Sequence, residues 1–163
     1  MHADQLRDVL TDPVAQRLYD SVDLARLAYS AKDGSPRVIP IGYRWNGTGF
    51  NLYTAPNAPK LDALRHDPRV ALTIDTESFP PNVLLVRGTA TIQIIDGVPD
   101  EYLDMNRRHT DPATYAEWEA GVRGLYKQMA LIQITPTWAK VLDFETRLPS
   151  AIEELISQQD PGS

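Results

Sequence analysis

The run from Val83 to Ile95 constrains the fold more than any other stretch of the chain. Leu84, Val86, Gly88, Ala90, Ile92 and Ile94 fall on one side of it, and Arg87, Thr89, Thr91 and Gln93 fall mainly on the other. A period of two over that length predicts a half-buried β-strand. Strands in globular proteins usually run only about 5–6 residues. One this long is usually bent, and Gly88 is the natural place for the bend. Long, bent antiparallel strands belong to small closed barrels.

The neighbouring segments fit that frame. Strands are expected at Leu24 to Ala31, Arg37 to Trp45, Phe50 to Thr54 and Val70 to Asp75. Asp33-Gly34 and Asn46-Gly47 supply the tight turns that pair successive strands antiparallel. Two further strands are expected at Ala130 to Thr135 and, beyond Pro136, at Trp138 to Phe144. Helical periodicity marks residues 3–19, with a break or restart at Pro13, and a helical segment covers about 98–129. Within it, Thr110-Asp111-Pro112 reads as a helix start. Ser150 and Glu153 form a capping-box pattern for a C-terminal helix over about 150–158, and Gln158 to Ser163 reads as a frayed tail. The expected architecture is mostly β with helices (α+β): one domain over 1–163, an antiparallel barrel with helices at its ends.

Composition narrows the function. The net charge is −6, which argues against a broad nucleic-acid or anionic-membrane footprint but leaves room for one small basic pocket. With no cysteine there is no disulfide, thiolate metal site or Cys nucleophile, as suits a cytoplasmic protein. No apolar run approaches the roughly 18 residues of a membrane span. The N-terminus lacks the apolar core of a secretory signal.

The stretch from Asn51 to Asp75 reads as strand, polar turn, short helix, strand. A helix N-terminus presents unpaired N–H groups and partial positive charge. With Thr54 and Lys60 beside it, the turn could hold a phosphate. The alternative is that Asn57 caps the helix, with Pro59 near its first position, and Lys60 is solvated.

Four local patterns then converge: Gly34-Ser35-Pro36-Arg37-Val38-Ile39-Pro40; Leu52-Tyr53-Thr54 followed by Pro59-Lys60-Leu61; Leu64 to Leu72 with its Asp67-Pro68; and Val86-Arg87-Gly88-Thr89-Ala90. In this order and spacing the chain, over roughly 22–144, resembles the pyridoxamine 5′-phosphate oxidase-like group of FMN-binding split β-barrels. The resemblance implies a split barrel of about six to seven strands. It further implies a homodimer with FMN in a cleft between subunits, acting as an oxidoreductase on a small molecule. Tyr53, Thr54, Ala55 and Lys60 would hold the phosphate. Arg37, Val38, Ile39 and Pro40 would lie against the ring, with Arg37 and Arg87 candidates for the phosphate or pyrimidine edge. Trp138 would approach the ring from the partner subunit. Deazaflavin (F-420) ranks second, because basic residues that usually flank the lysine in those proteins are missing. A non-enzymatic flavin- or haem-binding protein on the same barrel is the third reading. The Arg-x-His pattern of true pyridoxamine phosphate oxidases has no match near Arg147.

The remaining chemistry is sparse. His2, His66 and His109 show no metal-ligand spacing, so no metal site is expected. His66 suits a helix end; His109, after Asn106-Arg107-Arg108, is most simply a solvated helix end, the alternative being that it borders a substrate mouth. There is no nucleophile elbow, P-loop or Rossmann fingerprint, and no catalytic residue is assigned. This is tolerable for a flavoprotein, where the cofactor carries the hydride chemistry.

Overall fold

The structure, a computed structural model, describes residues 1–159. In chain order the elements are α1 (Ala3–Leu10), α2 (Pro13–Ser21), β1 (Leu24–Ser30), β2 (Pro36–Gly42), β3 (Arg44–Trp45), β4 (Phe50–Thr54), α3 (Pro59–His66), β5 (Arg69–Asp75), β6 (Val83–Asp96), α4 (Asp100–Arg107), α5 (Tyr115–Leu125), β7 (Gln128–Leu142) and α6 (Ser150–Gln159).

The strands form one seven-stranded antiparallel sheet ordered β2-β1-β5-β6-β7-β4-β3. Its two edge strands, β2 and β3, are consecutive in the chain and separated only by Tyr43. A single residue can join opposite ends of a sheet only if the sheet curls on itself. The result is the α+β split barrel expected from the sequence.

Alternation places Leu27, Phe50, Leu52, Leu72, Ile74, Leu84, Val86 and Ile132 inside the barrel. Helices α1 and α2 add Leu10, Val14 and Leu18 to the same core, and α3 adds Leu61 and Leu64. A second, smaller cluster joins Val98, Leu103 and Met129 to Tyr53, Tyr102, Trp118 and Val122, under the α4–α5 segment. Pro13 does restart the N-terminal helix: the Val14 N–H donates to Asp12 Oδ1 at 2.8 Å, so Asp12 caps α2.

The expected bend is present. The register of β6 on β7 slips between Arg87 and Gly88, and Gly88 lies opposite Pro136. That pairing also corrects one expectation. Ala130 to Thr135 and the segment after Pro136 are one strand, β7. Proline removes a ladder donor, but a bulge tolerates it. Phe144 lies past the strand, in a turn with φ of 57°. There Asp143 accepts the Thr146 hydroxyl at 2.6 Å and the backbone N–H groups of Glu145, Thr146 and Arg147, and these bonds, the hydroxyl's first, hold its carboxyl well below the usual carboxylate range.

Other boundaries also move. The return strand is split at Tyr43 into β2 and β3. Helix α5 begins at Tyr115 with Thr114 at its N-cap, because Asp111 closes its own turn by accepting the Ala113 N–H at 2.9 Å. Asn57 is not the cap of α3. Ala58 takes that position with no side-chain bond, and Pro59 opens the helix. In α6, Ser150 is the first helical residue, and Glu153 accepts from the Leu148 N–H. Of the expected tail, residues 160–163 lie outside the described residues.

Candidate functional site

The corner between β4 and α3 is built by alternation followed by a forced turn. Leu52 points into the core, Tyr53 points outward, and Thr54 ends the strand on the inward side. The Ala58 N–H donates to the Ala55 carbonyl at 3.1 Å and reverses the chain. Pro59 presets the first helical residue, and buried Leu61, Ala63 and Leu64 anchor α3. Lys60 therefore sits in the first turn of α3, and its ammonium folds back to donate to Thr54 Oγ1 at 3.2 Å. Among the described residues its only side-chain partner is that hydroxyl. Burial pushes the Lys60 ammonium below the usual lysine range. A half-buried cation beside a hydroxyl, at an uncapped helix N-terminus and without a carboxylate partner, is arranged to receive an anion.

Strand β2 runs along the sheet edge. Register places Arg37 opposite Tyr29 and Ile39 opposite Leu27, on the inner face, while Val38 and Pro40 lie on the outer face. The Arg37 guanidinium donates to Ser35 Oγ at 2.7 Å and to the Pro36 carbonyl. Arg87 lies over the Trp138 ring at 4.2 Å within the same chain. Arg37, Arg69 and Arg87 together border a groove of about 510 Å³ that also touches Ser30, Gly88 and Thr137. Arg69 is already committed there: its guanidinium donates to both Asp67 oxygens, at 2.9 and 2.7 Å. The same contact holds the Asp67 carboxyl down to about 2.

The structure thus gathers Thr54, Ala55 and Lys60 at one corner and Arg37 and Arg87 along one groove; Trp138 does not line that groove and meets it only through its contact with Arg87. It does not gather Tyr53 with them. Strand alternation turns Tyr53 the other way, and its hydroxyl donates to Glu101 Oε1 at 3.0 Å. There it lines a cavity of about 490 Å³ that sequence reading missed. Tyr19, Tyr43, Trp45 and Tyr102 line it as well. Tyr19 stacks on Trp45 with ring centroids 5.1 Å apart, and burial pushes the Tyr19, Tyr43 and Tyr53 phenols up.

Helix α4 roofs this cavity and is tied down by polar contacts at both ends. At its start, Asn51 Nδ2 also donates to Glu101 Oε1, at 2.8 Å. Beyond its end, His109 Nε2 lies 3.2 Å from Asp23 Oδ2, and Arg108 pairs with Asp23 Oδ1. His109 lies beyond the end of α4, on the wall of this cavity. His66 is exposed at the end of α3. The one available sequence signal for the cavity was the aromatic alternation of Tyr43 and Trp45. Its other walls come from segments far away in the chain.

Among the described residues no cluster of His, Cys, Asp and Glu could hold a metal ion, and no helix is long and apolar enough to cross a membrane.

The sequence pattern of the family described as pyridoxamine 5′-phosphate oxidase matches residues 11–142. Among solved structures, an F-420 reductase superposes with a TM-score of 0.58 at 23% identity, covering 77% of this chain and 94% of that one. A conserved hypothetical protein from Mycobacterium tuberculosis gives 0.58 at 19% identity, covering 91% and 89%. The haem storage protein HutZ from Vibrio cholerae gives 0.56 at 14% identity, covering 80% and 93%. At these identities the likeness is one of fold. No curated protein matches the sequence.

Proposed function

The chain belongs to the pyridoxamine 5′-phosphate oxidase family, and from that membership we propose that it is an FMN-dependent oxidoreductase. The observation that carries the reading is the Lys60 ammonium, half-buried, 3.2 Å from the Thr54 hydroxyl and without a carboxylate partner. The donor set fits a phosphate. Lys60 supplies a point charge and its own free backbone N–H, and Thr54 a hydroxyl; Pro59 has no N–H, and the Ala58 and Leu61 N–H groups already donate to the Ala55 and Ala58 carbonyls.

When bound, the flavin supplies hydride transfer, the chemistry that no side-chain constellation of this chain provides. The protein's part is to bind, orient and exclude water. Lys60 and Thr54 fix the phosphate end. Strand β2 from Arg37 to Pro40 lies along the sheet edge as a wall for the ring. Arg87, its guanidinium 4.2 Å from the Trp138 ring centroid, brings a cation to the groove beside Arg37. The cavity under α4 is the natural place for a small-molecule substrate, since it is concave, aromatic and roofed by a separate helix.

The same reading includes a homodimer. The outer face of β2, β1, β5 and β6 carries Val38, which is 67% exposed, and Leu24, which is 51% exposed. Ala28, Ala71 and Leu85 continue that face, half-buried, across β1, β5 and β6. Helices α1, α2 and α3 put their buried apolar residues into the inner core and leave this outer face uncovered. A second copy placed there would bury it and form the inter-subunit cleft.

The experiment is cofactor identification. Protein purified from a host that makes both flavins and F-420 should carry FMN, recognised by its absorbance and by its mass after release. Recovery of F-420 alone would transfer the phosphate site to a deazaflavin. Recovery of haem alone, or failure of the apoprotein to take up either flavin, would overturn the FMN reading.

A further inference from the structure

Helix α6 is an orphan in this structure. None of its described residues is buried, and Leu155 is 59% exposed. Yet Ile152, Leu155 and Ile156 recur at three- and four-residue spacing, so they share one apolar stripe. A helix of about ten residues is marginal in water without a surface to pack on.

Its root is not a loose tether. Asp143 gathers the turn after β7. Arg147 then bridges to Asp12 Oδ2 at 2.6 Å, and Lys140 Nζ donates to Ser150 Oγ at 2.7 Å. These contacts fix the start of the helix, while its apolar stripe stays exposed.

The same chain carries an orphan surface that matches it. Lys140 lies opposite Leu85, and Trp138 opposite Arg87, on the outer side of the sheet. The root of α6 is therefore continuous with the uncovered face assigned above to the dimer. Charge is complementary as well. The helix carries Glu153 and Glu154 and no basic residue, whereas the face carries Arg87 and Lys140, its Arg26 being already paired with Asp75 at 2.7 Å. Neither Glu154 nor Lys140 has an ion-pair partner among the described residues. An acidic helix is also a poor match for an anionic membrane surface.

We infer that α6 of each subunit docks on the outer sheet face of the other, its Ile152–Leu155–Ile156 stripe against the partner's Leu85 region, so that the dimer exchanges C-terminal helices. The inference rests on the homodimer proposed above. Each copy then supplies the cover that the other lacks, and a two-fold axis satisfies both helices at once.

The chain has no cysteine, so the test is clean. A tagged chain with Leu155→Cys is co-expressed with an untagged chain with Leu85→Cys, and the purified mixture is treated with a flexible bis-maleimide. The expected product is a covalent tagged–untagged species of twice the 18.2 kDa chain mass. Deleting residues 150–163 from the otherwise native chain should raise the dimer dissociation constant at least tenfold in sedimentation. A wild-type protein that sediments as a monomer would overturn both the dimer and the exchange. A dimer that neither cross-links nor weakens on truncation would overturn the exchange alone.

Discussion

Lys60→Ala is expected to weaken FMN binding roughly 10- to 100-fold, the loss of a charge-assisted contact worth about 1.5–3 kcal/mol. The measurement is titration of the apoprotein with FMN, followed by quenching of flavin fluorescence. The substitution should not harm the fold. The ammonium's only side-chain partner is Thr54 Oγ1. Burial already disfavours its charged form. Removing it should leave the apoprotein melting temperature unchanged or raise it.

The pH dependence has a definite sign. The folded apoprotein releases the Lys60 proton at lower pH than the unfolded chain does. Apoprotein stability from this group therefore rises with pH through that window. Phosphate affinity runs the other way, falling as pH climbs through the folded value, since neutral lysine loses its attraction for the anion. Lys60→Arg should retain part of the affinity and remove the pH dependence. Unchanged FMN affinity in Lys60→Ala would end the phosphate assignment.

Gly88→Ala is expected to cost about 2–3 kcal/mol of stability through one added methyl group in an overpacked site. For a chain of this size that lowers the melting temperature by roughly 4–12 °C. A Cβ at Gly88 would lie 2.3 Å from the Thr135 carbonyl oxygen and 3.2 Å from Ile134 Cγ2. The first is backbone of a paired strand and cannot rotate aside. The bulge opposite Pro136 is what brings that carbonyl so close. Relief would require pulling β7 away from β6, the most extensive pairing in the barrel. Thr89→Ala is the control. Its side chain is exposed on the outer face, and the change should move stability by less than about 0.5 kcal/mol. Equal melting temperatures for the two variants would show that the strands do not approach at Gly88 as described.

Much of the fold was legible because its determinants are local. The alternation from Leu84 to Ile94 marks β6 without reference to any other segment, and Asp33-Gly34 marks the hairpin between β1 and β2. Pro136 misled because proline ordinarily ends a strand. Its tolerance here depends on the bulge at Gly88, distant in the chain. Asn57 misled through its capping preference. The turn closed by Ala58 and Ala55, with Pro59 after it, starts α3 one residue later. At the candidate site, Thr54 and Lys60 are six positions apart, and their meeting could be read from a strand–turn–helix pattern. The family resemblance grouped Tyr53 with them, but alternation sends its hydroxyl to Glu101, 48 positions away. The cavity under α4 was illegible for the same reason. Tyr19, Trp45 and Tyr102 converge only when the barrel closes and α4 folds over it.

The most direct measurement compares FMN with riboflavin on the wild-type apoprotein, because the two differ only in the phosphate. If Lys60, Thr54 and the start of α3 hold that phosphate, FMN should bind at least tenfold more tightly than riboflavin, and Lys60→Ala should reduce the difference to a small factor. Equal dissociation constants for the two ligands on the wild-type protein would contradict a phosphate site at this corner.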